Sequence, residues 1–367
     1  MQYRDFGKTG AKVSALGFGA MRLPADEDYA IEVIRRALSL GVNYVDTAPY
    51  YCDGRSEGIV GRALKGWRDR IFLSTKNPIE DDSGDHYRER LENSLQRLDV
   101  DYIDFYHFWG INWKLFEEKI NVPNGPLEAA YRAREEGLVR HISFSFHDTP
   151  ENLVRLIDTG HFESMTVQYN LLDRKNEQAI YHAHAKGLGV AIMGPVGGGR
   201  LGVPATAIQE MIPGGVKSTP ELALRFVLAH PGVSVALSGM GSLEMVEENV
   251  ATASRTEPLT SAEKDRIEGA LSQLGRLADL YCTGCGYCQP CPNGVNIPEN
   301  FRLMNYHRVY GLTDWAKAKY AIFGKPESFI EGGRADTCIE CGTCEELCPQ
   351  KLPIIEQLKE THAALAG

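Results

Sequence analysis

The first 280 residues of this 367-residue chain hold a single cysteine, Cys52, so no disulfide framework spans that region. Basic residues are outnumbered, 39 Lys and Arg against 49 Asp and Glu. The resulting net charge of −10, with no basic stripe to balance it, argues against a nucleic-acid surface. No apolar run approaches the roughly 18 residues of a membrane span. The opening "MQYRDFGKTGAKVSALGFG" lacks the apolar core of a secretory signal. A soluble cytoplasmic protein is therefore expected, and in that reducing compartment clustered cysteines serve as metal ligands rather than disulfides. A full glycine-rich dinucleotide fingerprint after an early strand is also missing; "GFGAMR" offers two glycines, suited to tight backbone turns.

What is present is ordinary globular material, 43% hydrophobic and 24% charged. Short β-branched or aromatic runs alternate with amphipathic helical patterns such as "DYAIEVIRRALSLG". Eight strands are expected, at 15–21, 43–47, 71–75, 102–108, 140–145, 165–170, 190–194 and 233–239. Eight strand–helix units over about 250 residues predict a (β/α)8 barrel, of the α/β class. Thr260 and Glu263 form a capping box that opens the last barrel helix. The domain boundary is expected near Gly275, with the barrel over 1–274 and a small, mostly helical domain over 275–367.

That second domain carries the other eight cysteines. The first run is Cys282, Cys285, Cys288 and Cys291, followed by Pro292; the second is Cys338, Cys341, Cys344 and Cys348, followed by Pro349. Zinc also uses C-x2-C pairs, but two such pairs suffice for one ion. Repeated C-x2-C triplets, each closed by Cys-Pro, suit two 4Fe–4S cubanes in a ferredoxin-like module. In bacterial two-cluster ferredoxins the fourth cysteine of each run ligates the other cluster. By that pattern Cys282, Cys285, Cys288 and Cys348 hold one cluster, and Cys338, Cys341, Cys344 and Cys291 the second. Two features differ from the pattern: the first run has two residues, not three, before its last cysteine, and 46 residues separate the runs. "PENFRLMNYHRVYG" in that interval reads as helix.

Barrel enzymes place chemistry where strands end and loops begin. Asp46, Lys76, His107, Trp109, Ser145 and Gln168 fall on or near strand ends, with Tyr51 close behind Asp46. An acid, an amine, an imidazole and a phenol on one rim point to proton-coupled chemistry.

These residues lie in motifs that resemble the aldo-keto reductase family. "VDTAPYYCDGRSEGIVGRAL" is similar to that family's D-T-A-x-x-Y-G-x-x-S-E-x-x-L-G-x-A-L. The opening "YRDFGKTGAKVSALGFGAMRLP" resembles its N-terminal hairpin and first strand. "STKNP", "RLENSLQRLDVDYIDFY", "RHISFS", "VQYN", "GPVGGGRL" and "EEN" continue the match in order, from residue 1 to about 255. With the cysteine runs, the chain resembles the iron–sulfur branch of the family. The resemblance implies that Tyr51 is the general acid, with Lys76 favouring its phenolate and Asp46 holding Lys76. Ser145 and Gln168 match positions that grip the nicotinamide carboxamide, and Glu248 and Asn249 match the pair at the adenine end.

The sequence also departs from the family. Its strand-four histidine is replaced by Trp109, with His107 two residues earlier on the same strand face. Either His107 takes over the polar role or the site has no such histidine, and Trp109 becomes a substrate wall. The aromatic that stacks on the nicotinamide is Met193, a weaker platform. The arginine expected to clasp a 2′-phosphate is Met245, beside acidic Glu244, which tilts the choice toward NAD over NADP. Cys52 stands where relatives carry glycine.

A nicotinamide passes two electrons as hydride, whereas a cubane passes one, and flavin is the usual converter. The loops "GPVGGG" and "SGMGS" therefore admit an FMN reading beside the family's pyrophosphate contacts. The leading expectation is an oxidoreductase moving electrons between a small carbonyl, alcohol or activated-alkene substrate, with NAD(P)H, and an outside carrier such as a ferredoxin. The alternatives are an FMN reductase without nicotinamide and a non-catalytic electron-transfer subunit.

Overall fold

The computed structural model describes residues 1–197, 201, 206–211, 216–255, 257, 259–279, 282, 286–325, 328, 330–348 and 351–367, without the side chains of 206–207 and 274–279. The chain divides into two compact units, Met1–Gly199 with Ala223–Leu259, and Arg200–Leu222 with Thr260–Gly367.

The first unit opens with an antiparallel hairpin, β1 (Tyr3–Asp5) and β2 (Lys12–Ser14). Eight parallel strands follow: β3 (Leu16–Gly19), β4 (Tyr44–Asp46), β5 (Phe72–Pro78), β6 (Ile103–Ile111), β7 (Val139–Phe146), β8 (Ser164–Gln168), β9 (Gly189–Met193) and β10 (Val235–Ser238). They pair in chain order, and β10 closes on β3, giving the expected barrel. Strands β5 and β6 run three residues past their expected ends because Asn77 pairs with Phe108 and Pro78 with Trp109. Asparagine and proline are poor strand formers, so this extension comes from the neighbouring strand rather than from propensity. The helices pack outside. In Glu27–Ser39, Ala30, Val33, Ile34, Ala37 and Leu38 recur at helical spacing and are buried, and the Asp26 carboxylate accepts from the Tyr29 N–H at 2.9 Å.

Alternation along each strand sorts the barrel interior into two walls. Asp46, Ser74, Lys76, His107, Ser143, Ser145, Ser164, Thr166 and Gln168 follow one another at inward positions of β4–β8. The inward positions of β9, β10 and β3 are glycine or apolar: Gly189, Ala191, Met193, Val235, Leu237 and Gly17. The floor is a buried cluster of Phe6, Tyr44, Phe105, Ala191, Val235 and Leu237. Phe6, from the hairpin turn, plugs it edge-on against Phe105 at 4.7 Å. A side chain at Gly189 would meet the Phe6 ring at 2.7 Å, so that glycine is needed for the plug to seat.

The second unit is helical. Thr260 and Glu263 do form the capping box: the Glu263 N–H donates to Thr260 Oγ1 at 3.2 Å, and the Thr260 N–H donates to Glu263 Oε2 at 2.8 Å. They open helix Ser261–Asp279. Helices Ile297–Arg308, Thr313–Ala321 and Ile354–Leu365 pack together and bury Phe301, Met304, Ala316, Tyr320 and Leu358. The long interval between the cysteine runs returns on itself through a parallel bridge of Val295 with Gly333. The Gly333 N–H donates to the Gly294 carbonyl at 2.7 Å, and the Asn296 N–H to the Gly333 carbonyl at 3.1 Å. Buried Asn300 reinforces the return, donating to the Gly333 carbonyl at 3.1 Å and accepting from the Ala335 N–H at 2.9 Å.

Candidate active site and thiol cluster

At the C-terminal end of the barrel, Lys76 Nζ donates to Asp46 Oδ2 at 2.6 Å and to the Thr47 carbonyl at 2.7 Å. The Ser74 hydroxyl donates to the other Asp46 oxygen at 2.8 Å. Both ions are buried, with 3% and 6% of their side chains exposed. The pair is thus a buried salt bridge whose remaining hydrogen-bonding needs are met by its neighbours. Lys76 Nζ also sits 4.7 Å from the centroid of the Tyr51 ring.

Tyr51 is held by a tight loop. Cys52 and Asp53 adopt left-handed backbone (φ 53° and 55°), and Gly54 follows at 81°. The Ser56 N–H returns to the Tyr51 carbonyl at 3.2 Å, and the Ser56 hydroxyl donates to the Ala20 carbonyl at 2.8 Å. Buried Glu57 anchors the following helix, accepting from Thr75 Oγ1 at 2.7 Å and Arg97 Nε at 2.6 Å. The Cys52 thiol points to the carbonyls of Ala20 and Met21.

Burial is the largest influence on Tyr51 and raises its pKa; Lys76 pulls it down and Asp46 adds to the rise. Lys76 acts in favour of the phenolate, but burial outweighs it and the phenol stays protonated. Lys76 loses some proton affinity to burial, yet Asp46 and then Tyr51 more than restore it, so its pKa is raised. His107 lies wholly inside the barrel, in register between Lys76 and Ser143. Burial first, and Lys76 in addition, bring its pKa down to about 4 against the opposing pull of Asp46, so it is neutral at pH 7. The Phe144 backbone lies near enough to oppose the fall slightly, but neither His107 nitrogen nor the Thr166 hydroxyl closes a hydrogen bond of normal geometry among the described residues.

Trp109, not His107, faces the phenol. Its ring meets Tyr51 edge-on at 5.6 Å and Tyr50 at 5.5 Å. Tyr50 is exposed and donates to Glu80 at 2.7 Å. The other aromatics of this loop pack the loop itself: Phe116 is buried against Phe162 and Trp113, and Trp113 lies under Arg155.

The residues matched to nucleotide binding follow the rim. Ser145 Oγ accepts from the Gly110 N–H at 2.8 Å. Gln168 lies against Gly194, where a Cβ would fall 2.7 Å from its amide oxygen. Met193 pairs with Gln168 across β8 and β9. Asn249 is buried and donates to Ser238 Oγ at 3.1 Å, whereas Glu248 is exposed. Met245 is exposed too, and its sulfur accepts from the Gly241 N–H at 3.4 Å. Residues 198–200, the end of the "GPVGGGR" loop, lie outside the described residues.

In the second unit, Cys291, Cys338, Cys341 and Cys344 line one cavity with Val295, Ile297 and Leu358. The Val295–Gly333 bridge explains this meeting, since it lies just after Cys291 and just before Cys338. Burial raises the Cys344 pKa, and Glu345, Cys338 and Cys341 raise it further. Thiols near enough to resist one another's ionisation are a donor set that a cationic iron cluster would satisfy. Cys348 is buried, and Cys282 and Cys288 are half-buried. Cys285 lies outside the described residues.

Comparison with known proteins agrees with this geometry. A model of the "Aldo/keto reductase family" matches residues 15–272, and one of the "4Fe-4S dicluster domain" matches residues 281–352. The chain is 30% identical to L-galactose dehydrogenase of Arabidopsis thaliana over 291 residues, covering 71% of this chain and 90% of that protein. Among solved structures, the holo form of aldo-keto reductase AKR11C1 from Bacillus halodurans superposes with a TM-score of 0.66 at 32% identity, covering 74% of this chain and 96% of that one. An aldo/keto reductase from Klebsiella pneumoniae in complex with NADP and acetate gives 0.62 at 27% identity, covering 72% and 93%.

Proposed function

The chain belongs to the aldo/keto reductase family, and from that premise we propose an iron–sulfur oxidoreductase of the cytoplasm. It moves electrons between a carbonyl, alcohol or activated-alkene substrate at the barrel mouth and an external carrier such as a ferredoxin. The barrel domain is taken as 1–274 and the cluster domain as 275–367.

The observation that carries the reading is the Asp46–Lys76 contact of 2.6 Å beneath the Tyr51 ring. When bound, NAD(P)H supplies a hydride and the clusters supply one-electron storage. Tyr51, kept protonated by burial, gives its proton to the substrate oxygen as charge develops there. Lys76, fixed by Asp46 and the Thr47 carbonyl, stabilises the phenolate left behind. Trp109 walls the substrate beside Tyr51. His107, neutral and buried in register with Lys76, adds no second positive charge beside the lysine.

Ser145 and Gln168 would hold the carboxamide, Met193 the ring, and Glu248 with Asn249 the adenine end. NAD is favoured over NADP because uncharged Met245 stands where a clamp for the 2′-phosphate is needed. Cys291, Cys338, Cys341 and Cys344 would hold one cluster, and Cys282, Cys285, Cys288 and Cys348 the other. An FMN-dependent reading is favoured by Met193, which offers no aromatic platform for a nicotinamide.

Anaerobically purified protein assayed for flavin and titrated with NADH and NADPH separates these cofactors. Tyr51→Phe should lower NAD(P)H-dependent carbonyl reduction by about 10²-fold or more while iron content and nucleotide binding stay unchanged. Undiminished turnover in that variant removes the phenol from the chemistry.

A further inference from the structure

The inward series on β7, Ser143 and Ser145, reaches the barrel mouth at His147, one residue beyond the strand. The β7–β8 register pairs Ser143 with Ser164 and Ser145 with Thr166, and one further step of the same alternation would bring His147 to the level of Gln168. On the other flank, a Cβ at Gly110 would lie 3.7 Å from His147 Cδ2, so the imidazole rests against the turn that follows Trp109. The His147 N–H reaches the Ile111 carbonyl at 3.4 Å, and Asp148 Oδ2 accepts from the Trp113 N–H at 3.2 Å. These contacts fix the segment after β7 to the end of β6, which carries Trp109, and to the residues that follow it.

We propose that His147 contacts the substrate and selects carbonyl compounds that bear a hydroxyl on the carbon next to the carbonyl. The inference rests on the carbonyl-oxidoreductase reading above and adds the substrate's second polar group. Three observations carry it. Trp109 occupies the rim beside Tyr51 and leaves no polar side chain on β6 at that level. His147 reaches solvent at the barrel mouth, while partial burial of the ring disfavours the imidazolium and Lys175 reinforces the effect. Its ring nitrogens have no hydrogen-bond partner among the described residues. A neutral imidazole offers one donor and one acceptor, which matches a hydroxyl, itself both. A carboxylate would want a charged partner instead.

Hydroxyacetone and butanone differ only by a hydroxyl in place of a methyl group and make a direct test. In the wild-type holoenzyme hydroxyacetone should have the lower KM. His147→Leu should erase that preference by about 10-fold or more, through a raised KM for hydroxyacetone, with a much smaller change for butanone. His147→Asn, which keeps a donor and an acceptor, should restore part of it. An equal loss on both ketones, or an unchanged ratio, overturns the proposal. The same two ketones are also titrated into the Tyr51→Phe protein, with and without His147→Leu, by intrinsic tryptophan fluorescence. If neither ketone is turned over, the redox reading fails, and binding still decides the role of His147. A hydroxyl preference that depends on His147 upholds it, and no such preference overturns it.

Discussion

Replacing Lys76 with methionine puts the buried ion pair under the greatest load. The side chains of Lys76 and Asp46 are 3% and 6% exposed, so water cannot take over for the missing ammonium. Asp46 would keep the Ser74 hydroxyl at 2.8 Å and lose the 2.6 Å contact. Removing one partner of such a pair costs about 3–5 kcal/mol. In a domain of this size each kcal/mol moves Tm by about 2–4 °C, so a fall of about 10 °C is expected. Adding Asp46→Asn removes the stranded charge, and the double variant should regain about 2 kcal/mol or more relative to additivity. Turnover should not return with it, because Tyr51 still lacks its cation; both variants should stay about 10²-fold down. Anaerobic urea unfolding followed by circular dichroism, with cluster absorbance tracked separately, gives the four stabilities of the cycle. Simple additivity would show that the two charges do not depend on each other, and the reasoning would fall.

His107 makes stability depend on pH in a defined direction. Its folded pKa of about 4 lies below the usual 6.5, so between these values the unfolded chain binds the extra proton and acid weakens the fold. From pH 7 to pH 5 the loss from this group is about 2 kcal/mol, and His107→Gln should flatten that part of the urea-midpoint profile; parallel profiles would contradict it. In the cluster domain, Cys344→Ala should lower iron from about eight to about four atoms per chain on anaerobic metal analysis. Zinc in the wild type, or unchanged iron in the variant, would dismiss the assigned ligand set.

The barrel was legible because each strand carries its own apolar run and each helix its own period. Strand lengths were less so: Asn77, Pro78 and Trp109 join β5 and β6 through their pairing across the two strands, not through the local pattern of residues. Asp46 and Lys76 could be paired from their places at strand ends. The protonation of Tyr51 could not, since it depends on how deeply the loop through Cys52, Asp53 and Gly54 seats the ring. Parity along β6 set His107 and Trp109 on one face, but which of them meets the phenol depends on depth in the barrel. His147 escaped notice because it lies one residue past its strand; continuing the Ser143–Ser145 alternation was the signal that would have found it. The meeting of Cys291 with Cys338, Cys341 and Cys344 rests on the Val295–Gly333 bridge, which leaves no trace in the cysteine spacing.

The glycine and aliphatic wall formed by β9, β10 and β3 leaves the proton-handling groups confined to the opposite side of the barrel. An engineer can therefore recast ligand shape at Met193 without disturbing Asp46, Tyr51 or Lys76. The smallest positions, Gly17 and Gly189, are poor targets, because any bulk there pushes on the aromatic floor. Altered selectivity and retained chemistry are thus separable by which side of the barrel is rewritten.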